Sequence, residues 1–385
     1  VIRPREAIRA AGIACLTAAL FVQGAQAATA PFERPVRVAE LEEPEQRVWS
    51  EAEDVDLALL RSGQLLRDEE VEAWIAGLML RLFPDFGPAL RVRIVRDPEM
   101  NAFCLPNGSI YMNLGMLARV RNTSQLATIL AHEGVHFTHR HGFQQRSSLI
   151  TTAGFTQGAG LAGGLVGALL GSLVGMSSIR GFSRTHEREA DRVGYGRLLA
   201  GGFDPRESVA VFQMLTAESK AMGLSDTVFF ASHPQLDERI KVFRELSAVA
   251  GPTAVPESDA ALRAFQPRLQ REWMALEASM GQGGRLVHQL TRPDAAAFYP
   301  PEAPFYLGEG YRLRGEANDR TAMIAAYESA VQRAPTFAPA HAALGVVHFK
   351  AKDCAKASPY LRSYLDLAPD GPLRAHVGRM LEKCR

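Results

Sequence analysis

The segment His132-Glu133-Gly134-Val135-His136 constrains this chain more than any other. It sits in a run whose apolar residues Leu126, Ile129, Leu130 and Val135 recur at helical spacing, which predicts a helix from about Ser124 through His141. On a helix, residues four apart project from one face about 6 Å apart, so both imidazoles can reach a single zinc ion. Glu133 follows the first ligand directly and is placed to hold a water at the metal and accept its proton. The fold must therefore bury this helix, bring a third protein ligand to it and leave one metal position open.

A metzincin arrangement asks for glycine at 139 and histidine at 142, whereas the chain has His139 and Gly142. The third ligand then comes from elsewhere. His139 lies too far along the same helix to complete a tetrahedral site and reads as a surface or packing residue. Glu187-Arg188-Glu189-Ala190-Asp191 lies in a second helical pattern that ends at Gly201-Gly202-Phe203-Asp204-Pro205. Glu187 and Asp191 share a face, while Glu189 is rotated by roughly 200° and points away. Glu187 is predicted to bind the metal, and Asp191 to accept the second ring N–H of a ligating histidine. Glu189 is predicted to be a solvated charge near Arg192.

The ordered set of these residues resembles the zinc peptidase family that includes the CAAX prenyl proteases, HtpX-type membrane proteases and BepA-like periplasmic proteases. The matching residues are Asn101-Ala102-Phe103 with the turn Pro106-Asn107-Gly108, His132-Glu133-x-x-His136 with Arg140-His141, Ser183-Arg184 ahead of Glu187-x-x-Ala190-Asp191, and Ser232-His233-Pro234 with Arg239-Ile240. The resemblance implies a gluzincin core, mainly α-helical with a small β-sheet, one zinc ion per chain, and quality control of outer-membrane or other envelope proteins. Cys104 stands where the family commonly has a small residue such as alanine. His141 matches a family position, but its role cannot be derived from the sequence. Ser232-His233-Pro234-Gln235 has two readings: a helix start capped by Ser232, or a loop that brings His233 over the zinc as a catalytic group, as the resemblance implies. The catalytic set is then Glu133, His233 and Asp191, and the metal set His132, His136 and Glu187.

At 385 residues and 47% hydrophobic content the chain has material for two domains at ~150 residues each. With 43 basic against 42 acidic residues the net charge is +1, which gives no electrostatic reason to expect nucleic acid. Arg3, Arg5 and Arg9 precede an uncharged stretch from Ala10 to Val22 and the small-residue pattern Ala25-Gln26-Ala27, which predicts a cleaved export signal over 1–27 and a periplasmic location. Export would leave Cys104, Cys354 and Cys384 in an oxidising compartment. Cys354 and Cys384 share one helical region where a bridge is sterically open, and Cys104, between Phe103 and Leu105, reads as a buried thiol.

The peptidase domain is expected over 28–250. Alternation in Leu90 to Val95 and Ser109 to Asn113 predicts two strands ahead of the central helix. Between Arg146 and Arg180 lie 33 uncharged residues with eight glycines. Two membrane spans need roughly 40 residues and a turn, and one span would separate His136 from Glu187. The segment 147–179 is therefore a packed hairpin, a loop, or a patch in contact with a membrane surface. A helical linker is expected over 251–300. From 301 to 385, Tyr327 and Leu361, and Pro335 and Pro369, recur at 34 residues, and Leu307-Gly308 is echoed by Leu344-Gly345, which resembles two tetratricopeptide units. Such a tail offers a concave surface for unfolded or misassembled envelope proteins or for outer-membrane assembly machinery. The competing reading is a periplasmic chaperone or scaffold with a structural metal. Glu133 argues against it, since a structural zinc gains nothing from a base beside a water site.

Overall fold

A computed structural model describes residues 29–145, 182–221, 236–249 and 259–384. The signal-like segment 1–27, the glycine-rich stretch 147–179, His233 with its neighbours and the 251–256 linker lie outside the described residues. The described chain is mainly helical with one small mixed sheet.

The first half alternates helices with short strands: α1 (Glu43–Arg61), β1 (Leu65–Leu66), α2 (Glu69–Leu82), β2 (Arg91–Val95), β3 (Ala102–Cys104) and β4 (Ser109–Asn113). In α2 the Asp68 side chain accepts from the Val71 N–H at 3.2 Å, and that cap fixes where the helix starts. The sheet order is β1-β2-β4-β3, with β2 and β4 parallel and both outer pairs antiparallel. The turn between β3 and β4 needs Gly108: its φ is +80°, and a Cβ there would stand 2.3 Å from the Ala89 carbonyl oxygen. The result leaves β3 at the sheet edge, with no strand on its outer side among the described residues.

Next come α3 (Leu114–Arg119) and α4 (Thr123–Thr138), the helix that carries His132 and His136. Asn122 caps α4 by accepting from the Gln125 N–H at 2.9 Å, and every residue of the helix is buried. Helix α4 ends at Thr138, short of the predicted His141. Arg140 takes a left-handed conformation (φ 57°), and residues 141–145 form a separate helical turn. Several contacts favour that break: the Arg140 guanidinium bonds to Glu45 and to the Ala30 carbonyl, and lies over the Phe32 ring.

Helices α5 (Arg184–Ala200), α6 (Glu207–Ala221) and α7 (Leu236–Val249) close over α4, and α8 (Ala260–Ser279), α9 (Gly283–Leu290) and α10 (Ala295–Phe298) follow. A continuous apolar core runs from Leu41 through Ala303 and includes Trp273 and Met274 of α8, both with no exposed area. The stretch expected as a linker thus contributes side chains to the same core as α2 and α4.

The C-terminal part is built of α11 (Ala303–Arg314), α12 (Asp319–Arg333), α13 (Ala338–Lys350), α14 (Cys354–Leu367) and α15 (Arg374–Lys383). Two hairpins use the same close approach: a Cβ on Gly308 would meet Tyr327 at 2.4 Å, and one on Gly345 would meet Leu361 at 2.5 Å. Cys354 and Cys384 form a disulfide that ties the start of α14 to the end of α15. No described helix is long and apolar enough to cross a membrane.

Candidate metal centre

Two packed helices build the site. Helix α4 approaches Phe83 so closely that a Cβ on Gly134 would lie 2.3 Å from the ring, so only glycine fits between the two histidines on that side. Helix α5 starts at Ser183, whose hydroxyl accepts from the His186 N–H at 3.2 Å, and its first turn carries Glu187 toward α4. Further along, Gly194 of α5 faces the backbone of Ala131 and His132.

The result is a buried cluster in which His132, His136 and Glu187 each present one donor atom, all within 4.8 Å of one another. The Nε2 atoms of the two histidines are 2.9 Å apart, and each lies 3.5 Å from an oxygen of Glu187. Two imidazoles and one carboxylate fit the donor preference of zinc, and three protein donors leave a position open. Glu133 has no exposed area and belongs to the same helical turn as His132.

Both histidines are held at their other ring nitrogen. His132 Nδ1 lies 3.0 Å from Asp191 Oδ1, which accepts from it in the tautomer that turns the Nε2 lone pair toward the cluster. His136 Nδ1 lies 2.9 Å from Nδ1 of the fully buried His141. Burial, reinforced by neighbouring His186 and His139, pushes the His141 pKa down to about 2, so its ring is neutral. Its Nε2 stands 3.3 Å from Glu189 Oε2 and donates to that carboxylate, which leaves Nδ1 to accept from His136. A chain of bonds therefore runs from Glu189 through His141 to His136. Glu189, expected to point into solvent, is 43% exposed at its side chain but also reaches back to His141, because the Arg140 break folds His141 against α5. The Phe182 ring stacks on His136 at 3.8 Å between centroids and packs its outer face.

Arg239 of α7 completes the surround. Its guanidinium donates to Asp191 at 2.7 and 2.9 Å, lies 3.1 Å from Glu187 Oε2, and comes within 2.9 Å of His132 Nδ1. Burial alone would pull its pKa down, but Asp191 and Glu187 outweigh that and hold it above the usual value. The sequence placed Arg239 in the family's order without a role, and nothing in the sequence signals its approach to Asp191 and Glu187, which depends on how α7 packs. Cys104 lies on the β3 side of the site. Burial first, and the nearby Glu133 charge second, raise its thiol well above the ordinary value, so it stays protonated.

The geometry thus gathers His132, Glu133, His136, Glu187 and Asp191 at one place. It does not bring His139 to the cluster: His139 contacts Thr138 and Glu189 at the helix end.

Residues 66–247 match peptidase family M48. The chain is 28% identical over 217 residues to the beta-barrel assembly-enhancing protease of Escherichia coli, covering 51% of this chain and 43% of that protein. It is 32% identical over 161 residues to the protein of that name in Yersinia pestis, covering 38% of this chain and 32% of the relative. It is 29% identical over 156 residues to the mitochondrial metalloendopeptidase OMA1 of Schizosaccharomyces pombe, covering 40% of this chain and 45% of that protein. The chain spans less than half the length of each of these relatives. The matched segment contains the three donors and both helices that carry them, and over it the chain is similar to peptidase family M48.

Proposed function

We propose that the chain is a zinc-dependent endopeptidase of the cell envelope that hydrolyses unfolded or misassembled proteins. The observation that carries this reading is the convergence of His132, His136 and Glu187 within 4.8 Å, with Glu133 buried beside them. A zinc ion held by these three residues, one per chain, supplies Lewis acidity for a water and for a peptide carbonyl. Glu133 takes the proton of the attacking water and returns it to the leaving amine. Asp191 and His141 fix the tautomers of the two histidines, and Arg239 holds Asp191 in place.

The substrate adds as a strand along β3. Phe103 pairs with Tyr111 across the ladder, and Leu105 N–H donates to the Ser109 carbonyl. Alternation turns the N–H and C=O of Ala102 and Cys104 away from β4 toward the side with no strand; both residues are buried there, so docking requires that side to be uncovered, and backbone pairing then tolerates many sequences. The interior strand β4 is already paired on both sides and offers no free edge to a substrate.

An envelope location is supported by the disulfide, which suits an oxidising compartment, by the signal-like segment 1–27, and by relatives named for beta-barrel assembly. The repeated glycine contacts of Gly308 and Gly345 support reading 301–385 as two tetratricopeptide-like units that hold a client or an assembly partner. The sequence leaves His233 with two readings, a helix start capped by Ser232 or a group over the zinc, and in the second it acts as a restraint on the metal position. Its replacement, His233→Ala, should raise basal proteolysis and self-cleavage with zinc retained, and values within about twofold of wild type remove it from the site.

The decisive test pairs zinc analysis with casein degradation. Glu133→Gln is expected to retain zinc and lose hydrolysis by about a hundredfold or more, because an amide neither accepts nor returns the proton. Hydrolysis near wild type in that variant, or insensitivity of the wild type to a chelator, refutes the reading.

A further inference from the structure

Away from the metal cluster, the tail carries a groove of about 470 Å³ between α11, α12 and α13. Its floor is apolar: Phe305, Met323, Val346 and Val347 line it and are each half-buried. The helices run up and down through short turns, so the end of α11, the start of α12 and the end of α13 lie together. Arg312, Arg320 and Lys350 stand at those three positions and line the groove. The groove is therefore cationic at one end and apolar along the rest.

The lining contains one carboxylate, and it is already engaged. Glu309 accepts from the Tyr327 hydroxyl at 2.5 Å and from Arg312 Nε at 3.0 Å, which neutralises Arg312. Arg320 and Lys350 are exposed and have no carboxylate partner among the described residues. Two like charges held at one end of an apolar trough repel each other and attract a negative group.

We propose that this groove seats a peptide segment of another protein that lays apolar side chains along the floor and sets acidic side chains against Arg320 and Lys350. This deepens the reading of the tail as a partner-binding domain, on which it rests, and uses no residue of the metal cluster. Two unopposed cations from two helices call for at least two carboxylates, which favours acidic side chains over a single chain terminus.

The test is fluorescence anisotropy with the full zinc-loaded chain and a labelled, C-terminally amidated twelve-residue probe of Phe, Leu and Val followed by three Glu. A matched probe carries Lys in place of Glu. The acidic probe is expected to bind about tenfold or more tighter than the basic one, with affinity falling as salt rises. The double variant Arg320→Glu with Lys350→Glu, altered only at exposed positions, should keep its melting temperature and reverse the preference. That reversal is a gain of binding, which a damaged fold cannot give. Equal binding of both probes overturns the charge assignment while leaving the tail a binding domain, and no saturable binding of either overturns both. A requirement for a free carboxyl terminus, a dimer abolished by the double variant, or charge-dependent binding to anionic vesicles would assign the groove to another occupant and overturn the proposal.

Discussion

His141 sits where the second nitrogen of His136, a candidate metal ligand, needs a partner, yet it is neither acidic nor a backbone carbonyl. As a neutral ring it can accept from His136 only while its own proton is kept on Nε2, and the Glu189 carboxylate at 3.3 Å keeps it there. Removing the ring leaves His136 free to rotate or to shift its proton onto Nε2, which abolishes the donor. His141→Ala is therefore expected to weaken zinc binding about 10- to 100-fold, measured by competition with a chromogenic chelator. Glu189→Gln keeps an acceptor oxygen at the same place and should weaken it less. Zinc affinity unchanged in His141→Ala would show that Phe182 stacking alone orients His136. The donors themselves were readable from the sequence because helical spacing puts His132, His136, Glu187 and Asp191 on definite faces. His141 was not, since its position depends on a left-handed Arg140 held by Glu45 and Phe32, roughly a hundred residues away in sequence. Arg239 was equally hidden, because its approach depends on how α7 packs across α4 and α5.

At the level of elements, the proposed docking of substrate rests on the edge strand β3. Three residues, Ala102 to Cys104, are too few to show alternation, so this strand could not be read from periodicity, whereas β2 and β4 could. Its place at the edge follows from topology: β2 and β4 pair in parallel, and β3 turns back onto β4 through Gly108. Proline on an edge strand is tolerated where the lost N–H faces outward. Ala102→Pro should accordingly leave the β3–β4 ladder and the zinc content intact while removing one bond to the substrate backbone. An expected loss of about tenfold in kcat/KM on a peptide substrate corresponds to one hydrogen bond. Retained zinc with activity within about twofold of wild type would place the substrate elsewhere. The central helix shows the opposite case, since its start and apolar face were legible while its end was not: the sequence continues a helical pattern past Thr138, and only tertiary contacts of Arg140 stop it.

Across the whole molecule, the joint between the helices around the metal and those leading to the tail is ionic and buried. Arg119 of α3 donates to both oxygens of Glu218 on α6 at 2.7 Å, and Gln289 of α9 donates to the same carboxylate at 3.0 Å. Arg285 of α9 donates to Glu277 of α8 at 2.9 Å and to Glu99 at 2.6 Å, while Trp273 donates to the Pro98 carbonyl. Such a network fixes how the elements meet, because removing one partner leaves an uncompensated charge in the interior. Glu277 has no exposed area, and burial, despite the pull of Arg285 and Arg119, pushes its pKa up to about 7. The sign of the consequence follows from linkage. A carboxyl whose folded pKa is raised holds its proton in the native state after the unfolded chain has released it. Stability from this group is therefore full below the unfolded value near 4.5 and is lost as pH rises toward 7. The slope is at most about 1.4 kcal/mol per pH unit. Glu277→Gln cannot titrate, so thermal unfolding of the variant between about pH 5 and 7.5 should fall less steeply with pH than that of the wild type. Below about pH 7 the substitution exchanges a protonated carboxyl for an amide that can still accept from Arg285, so it adds at most a near-constant offset in melting temperature. The difference in slope, not the offset, reads the titration, and parallel curves would mean that Arg285 keeps Glu277 ionised across the whole range.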